Sequence, residues 1–82
     1  MQVVHTARQV GALVRRERRK LGLTQGLLGK RVQRRQATIS KLEAGQPATQ
    51  ILTLLDTLAA LGLEIVIRPR AANPPGRRRR DG

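Results

Sequence analysis

Eighty-two residues carrying a formal net charge of +12 make one small, strongly basic domain, near the lower size at which a core holds a fold unaided. The chain has no Phe, Tyr, Trp or Cys, so its core is aliphatic, and base stacking on aromatic rings, disulfides and thiolate metal sites are excluded. Its apolar runs fall short of the roughly 18 residues of a membrane span, and "MQVVHTARQV" lacks the cationic start and apolar centre of a signal peptide, so the expected location is the cytoplasm and the expected partner an anion, nucleic acid before acidic membrane or protein.

In chain order, Thr6 to Gln9 fits a capping box, with Thr6 as N-cap and Gln9 reaching back. Val10, Leu13, Val14 and Leu21 then mark the apolar stripe of a first helix that ends near Gly22. Arg15, Arg16, Arg18, Arg19 and Lys20 make that helix basic over most of its turn, either as a solvated surface or beside a phosphate backbone. Thr24 can cap a short second helix, "QGLLGKRV", with Leu28 and Val32 inward. Gly26 and Gly29 each cost that helix up to ~1 kcal/mol relative to Ala, and close helix–helix approach at Gly29 is the simplest compensation. After a brief turn at Gln33 and Arg34, a third helix runs from about Arg35 to Ala44 and closes at Gly45. Pro47 breaks the chain, Thr49 caps a fourth helix, and Ile51, Leu54, Leu55, Leu58 and Leu61 give it a wide apolar face before Gly62 ends it. The period then becomes two: in "LEIVIRPR", Leu63, Ile65 and Ile67 alternate with Glu64, Val66 and Arg68, a strand pattern stopped by Pro69. "AANPPGRRRRDG" has nothing to bury, so residues 6–68 form the domain and 69–82 a disordered basic tail.

The third helix is the informative one. Ile39 and Leu42 face inward, while its outer face carries an amide, an alanine, two hydroxyls and one lysine. Short side chains let a helix sit deep in a groove, and an amide both donates and accepts hydrogen bonds. Two short helices joined by a tight turn, the second with such a face, is the helix-turn-helix plan.

With these residues assembled, "LGLTQGLLGKRVQRRQATISKLEAG" resembles the Xre/phage-repressor family of helix-turn-helix domains, which carries an LGLTQ-type start and a TIS-x-x-E-x-G end. Within it, "QATIS", "LTLLDTLAALGLEI" and the final strand resemble the HipB-type antitoxins. The resemblance implies a mainly α, lambda-repressor-like bundle of four to five short helices, with the C-terminal strand paired across a homodimer. It implies base reading by Gln36, Ala37, Ser40 and Lys41, with Gln36 suited to the N6/N7 edge of adenine and Ala37 to a thymine methyl. Ser40 and Lys41 stand one turn on, at base or phosphate distance. Thr24, Gln25 and Arg35 would hold phosphate, Gln25 aided by the second helix's N-terminus; Thr38 would bond phosphate or satisfy the backbone. It also pairs Arg18 with Glu43 as a partly buried ion pair.

The chain departs from that family's pattern at four places. Gln33 stands where the turn usually has glycine, Arg35 where the recognition helix usually has a Ser or Thr cap, Gly29 in place of alanine, and Glu17 where a small or apolar residue is usual. A left-handed Gln33 costs about 1 kcal/mol, and a lost cap costs about the same.

A lone strand leaves backbone groups unpaired, and its own copy is the simplest partner, through Leu63, Ile65, Val66 and Ile67. The expected function is therefore a dimeric, sequence-specific repressor binding a palindromic double-stranded operator, as the antitoxin of a HipBA-like toxin–antitoxin pair. Its HipA-type kinase partner is implied by the resemblance alone. The alternative is a general basic module for RNA or the ribosome. No pair among Glu17, Glu43, Asp56, Glu64 and Asp81 has catalytic spacing, and no cofactor or metal is expected. Arg77 to Arg80 either add affinity for any DNA or have no role.

Overall fold

The structure, a computed structural model, describes residues 2–70. Four helices follow one another: α1 (Ala7–Lys20), α2 (Gln25–Arg31), α3 (Gln36–Glu43) and α4 (Ile51–Ala60). The Arg77 to Arg80 stretch lies outside the described residues, as does all of the chain after Arg70.

The starts of α1 and α2 follow from their caps. The Thr6 hydroxyl oxygen accepts the Gln9 N–H at 3.1 Å, and the Gln9 side chain in turn accepts the His5 N–H at 2.6 Å. Thr24 accepts the Leu27 N–H at 3.1 Å. These bonds satisfy donors that a helix leaves open in its first turn. Arg35 and Gln50 are the caps of α3 and α4, and neither makes a side-chain capping bond. Thr49, expected at the last of these places, is one residue too early: its hydroxyl donates to the Gln46 carbonyl at 3.1 Å and closes the turn before α4.

The core is aliphatic throughout. Val14, Leu28 and Ile39 are fully buried, and Leu23, Val32, Leu42, Leu58 and Leu61 close around them. α3 packs on α1 and α2, and α4 packs on α2. Gly11 makes the first contact possible, because a Cβ there would lie 2.5 Å from the carbonyl oxygens of Leu42 and Glu43. At Gly29 the expected close approach exists, but to the turn rather than to a helix face: a Cβ would lie 2.7 Å from the Arg34 carbonyl oxygen. The Arg34 N–H also donates to the Gly29 carbonyl at 2.8 Å. Helix propensity is given up there so that α2 can turn tightly into α3.

Three further features differ from the sequence reading. Leu21 is exposed at the end of α1, and Leu23 fills the core in its place. α4 buries Thr53, Thr57 and Leu58, with Leu54 half-buried, while Ile51, Leu52 and Leu55 face outward. The Thr57 hydroxyl can be buried because it donates back to the Thr53 carbonyl at 2.7 Å. Finally, the 63–68 segment forms no strand, and the described residues contain none. Leu63 packs against the core and its N–H donates to the Leu58 carbonyl, but Ile65, Val66 and Ile67 are exposed. A strand exists only with a neighbour, and the single chain offers none. Among the described residues, no helix is long and apolar enough to cross a membrane.

Candidate nucleic-acid interface

α2, the turn at residues 32–35 and α3 form one rigid corner. Gln33 has a φ of +57°, the only positive value at a non-glycine residue among those described. The left-handed turn expected at this position is therefore present, and it is made by glutamine at the steric cost of a Cβ. Arg34 supplies the compensation. Its guanidinium donates to the Val32 carbonyl at 3.0 Å and the Gln33 carbonyl at 3.4 Å. It also reaches α4, donating to Thr53 Oγ1 at 3.1 Å and to Asp56 Oδ2 at 3.2 Å. One side chain thus ties the turn to α4. No local signal marks this role, because Arg34 stands among many arginines and its partners lie about twenty residues on.

The other end of α3 is held by a buried ion pair. Arg18 meets Glu43 in a forked contact, Nε to Oε2 at 2.6 Å and a terminal nitrogen to Oε1 at 2.9 Å. The two side chains are only 9% and 3% exposed. A third Arg18 donor takes the Leu23 carbonyl at 2.7 Å. Burial pushes the Glu43 carboxyl up, but the Arg18 and Gln25 hydrogen bonds outweigh it and hold the group below the ordinary carboxylate range. The Glu43 hydrogen bond raises Arg18 further above its usual value, so both charges persist. At Glu17, the unusual acid of α1, the hydrogen bond from Lys20 leads in lowering the carboxyl, with Arg16 assisting.

Gln25 belongs to the same network. Its amide Nε2 donates to Glu43 Oε1 at 3.1 Å, leaving one amide hydrogen for an outside acceptor. Arg18, Glu43 and Gln25 therefore join the first turn of α2 to the last turn of α3.

The expected base-reading residues share one surface. Gln36, Ala37, Ser40 and Lys41 are all exposed on α3, opposite the buried Ile39 and Leu42. Gln36 opens the helix beside the first turn of α2: a Cβ added at Gly26 would lie 3.9 Å from Thr24 Oγ1 and 4.0 Å from Gln36 Oε1. Gly26 thus marks the open junction of the two helix starts rather than a close contact. Thr24 and Arg35 are exposed there as the caps of α2 and α3. Thr38 is half-buried on the side of α3 toward α4, where it lines a cleft with Arg34, Lys41, Gln46 and Thr49. Two helix N-termini, an amide, hydroxyls and cations converge on this face, as anion binding and base reading require.

The family model for a helix-turn-helix domain matches residues 9–68. The chain belongs to the helix-turn-helix family. Within it the chain is of the Xre type and most like HipB. A chain of a solved HipA-HipB-O2-O3 complex is 28% identical and superposes with a TM-score of 0.78, covering 84% of this chain and 97% of that one. A HipB-O4 20mer complex gives 28% identity and 0.77, with the same coverage. A HipB-O1-O2 complex gives the same identity and score and is covered over its whole length. No curated protein sequence matches. The helix-turn-helix of this chain is thus that of a DNA-binding regulator of the HipB antitoxin type.

Proposed function

We propose that this protein is a homodimeric, sequence-specific repressor that inserts α3 into the major groove of a palindromic operator and acts as the antitoxin to a HipA-type kinase toxin. The observation that carries the DNA reading is the outward face of α3, where Gln36, Ala37, Ser40 and Lys41 are exposed together on a helix locked at both ends. Gln36 and Ala37 meet bases, Ser40 and Lys41 meet bases or phosphate, and Thr24, Gln25, Arg35 and Thr38 meet phosphate. The HipA-type partner rests on similarity to HipB, which occurs beside HipA in one of the matching complexes.

The dimer is supported by what the single chain leaves uncovered. Ile65, Val66 and Ile67 are exposed after α4, and pairing this segment with its copy across a twofold axis would satisfy strand edges and cover them with Leu63. The outward Ile51, Leu52 and Leu55 of α4 extend the apolar surface available to the partner. Two copies place two recognition helices about 34 Å apart, one turn of DNA, or at a multiple of it.

Selection from a pool of randomised duplexes tests the function. A palindromic consensus should emerge, and Gln36→Ala should weaken binding to it by about 1–3 kcal/mol and relax preference at one base of each half-site. Unchanged affinity and preference in this variant would remove α3 as the reading element. Equal binding to structured RNA would favour a general basic module instead.

A further inference from the structure

A shallow groove of about 690 Å³ runs along α1 and reaches Glu43, the last residue of α3. Arg8, Arg15, Arg16, Arg19 and Lys20 surround it, with Ala12 between them and Glu43 at one wall. Arg16 and Lys20 share Glu17, and Glu43 is matched by Arg18. Arg8, Arg15 and Arg19 make no ion pair or side-chain hydrogen bond among the described residues. Their spacings of seven and four residues put them on one side of the helix, spread over about 16 Å of its axis at 1.5 Å per residue. Ala12 is short, so the stripe is concave and lets a partner's backbone approach between the guanidinium groups.

An ordinary solvated helix face would intersperse acids, because like charges at this spacing repel. Here the one carboxylate among the described lining residues, Glu43, is paired with Arg18, and the nearby Glu17 is taken up by Arg16 and Lys20. The groove begins at Glu43, the last residue of α3, whereas Gln36 is the first. It therefore lies past the end of the reading helix, not beside the bases that Gln36 faces.

We propose that this groove grips the sugar–phosphate backbone of duplex DNA outside the bases read by α3, extending the footprint without adding sequence preference. The inference rests on the DNA-binding reading above. Two features select DNA over an acidic protein. The three free cations are all arginines, whose forked donors match phosphate oxygens. The groove also holds no large apolar or aromatic side chain of its own, whereas protein interfaces bury such anchors at their centre.

The test compares two duplexes carrying the sequence selected by the wild-type protein, one trimmed to the selected bases and one extended by flanking sequence. Binding is measured as a function of salt for the wild type and for Arg8→Gln/Arg15→Gln/Arg19→Gln. Wild type should bind the longer duplex more tightly and with a steeper salt dependence. The variant should lose that gain, its slope of log K against log salt falling by about 5.4 on the long duplex for six lost phosphate contacts per dimer. Its preference for the selected sequence over random DNA should stay unchanged. Arg8→Gln/Arg19→Gln, which spares the residue nearest Glu43, should lose about two-thirds as much and guards against a folding defect. The proposal fails if the variants gain as much from the flanks as wild type, as they would if the groove served an acidic protein or only solvent. It also fails if the loss is equal on the trimmed duplex, which would place the groove within the read site. If wild type selects no sequence at all, the fault lies with the DNA-reading function and not with the groove.

Discussion

Glu43 is the side chain through which α1, α2 and α3 are joined. It accepts two bonds from Arg18 and one from Gln25, and it closes the helix that carries the proposed reading surface. Glu43→Gln strands the Arg18 guanidinium in a nearly sealed site, and urea unfolding should show a loss of about 3–5 kcal/mol. The same carboxylate gives the protein an acid limit. Its folded value lies below its unfolded one, so its stabilisation is complete above the ordinary carboxylate range and disappears as pH falls through the depressed folded value. Stability measured from neutral pH downward should fall through that range in the wild type and change much less in Glu43→Gln. Glu17, also lowered, sits in a solvent-screened cluster and should add little to the slope.

At the scale of elements, the decisive join is between α4 and the turn before α3. Arg34→Leu removes the donors to Thr53, Asp56 and two turn carbonyls and should cost about 1–2 kcal/mol in urea unfolding, with the exposed Asp56 contact the smaller part. Discrimination between operator and random duplex should drop with it, because α3 loses part of its fixed angle. Arg16→Leu, whose partners Gln2 and Glu17 are neighbours at the surface, should stay within about 0.5 kcal/mol. This contrast shows what was legible in the sequence. The caps at Thr6 and Thr24, the inward Ile39 and Leu42, the left-handed Gln33 and the Arg18–Glu43 pair were readable, since each depends on local chemistry or on a motif of fixed spacing. Arg34 was not, because nothing local tells one surface arginine from another. The inward side of α4 was misjudged for a related reason: its leucines and isoleucines surround the helix, and only packing shows that Thr53 and Thr57 face the core while Ile51 and Leu55 face out. Gly11 carries a local signal of its own, a glycine inside an apolar stripe being the mark of a close backbone contact.

For the whole molecule, the uncovered apolar surface after the start of α4 is what the proposed dimer would cover. Ile65→Lys places a charge where two copies are proposed to meet, and sedimentation should find monomers with little operator affinity but near-wild-type helix content by circular dichroism. A variant that stays dimeric would move the interface elsewhere and detach the half-site spacing from the 63–68 segment. The same outward Ile51, Leu52 and Leu55 have a consequence for regulation. A regulator that covers this surface only by meeting its copy occupies its operator in proportion to the square of its dilute concentration, and its thermal midpoint rises as more of it is present. In the proposed dimer, modest proteolysis or slowed synthesis would then lift repression abruptly rather than gradually, and the leucines and isoleucines of α4 would set a threshold as well as an interface.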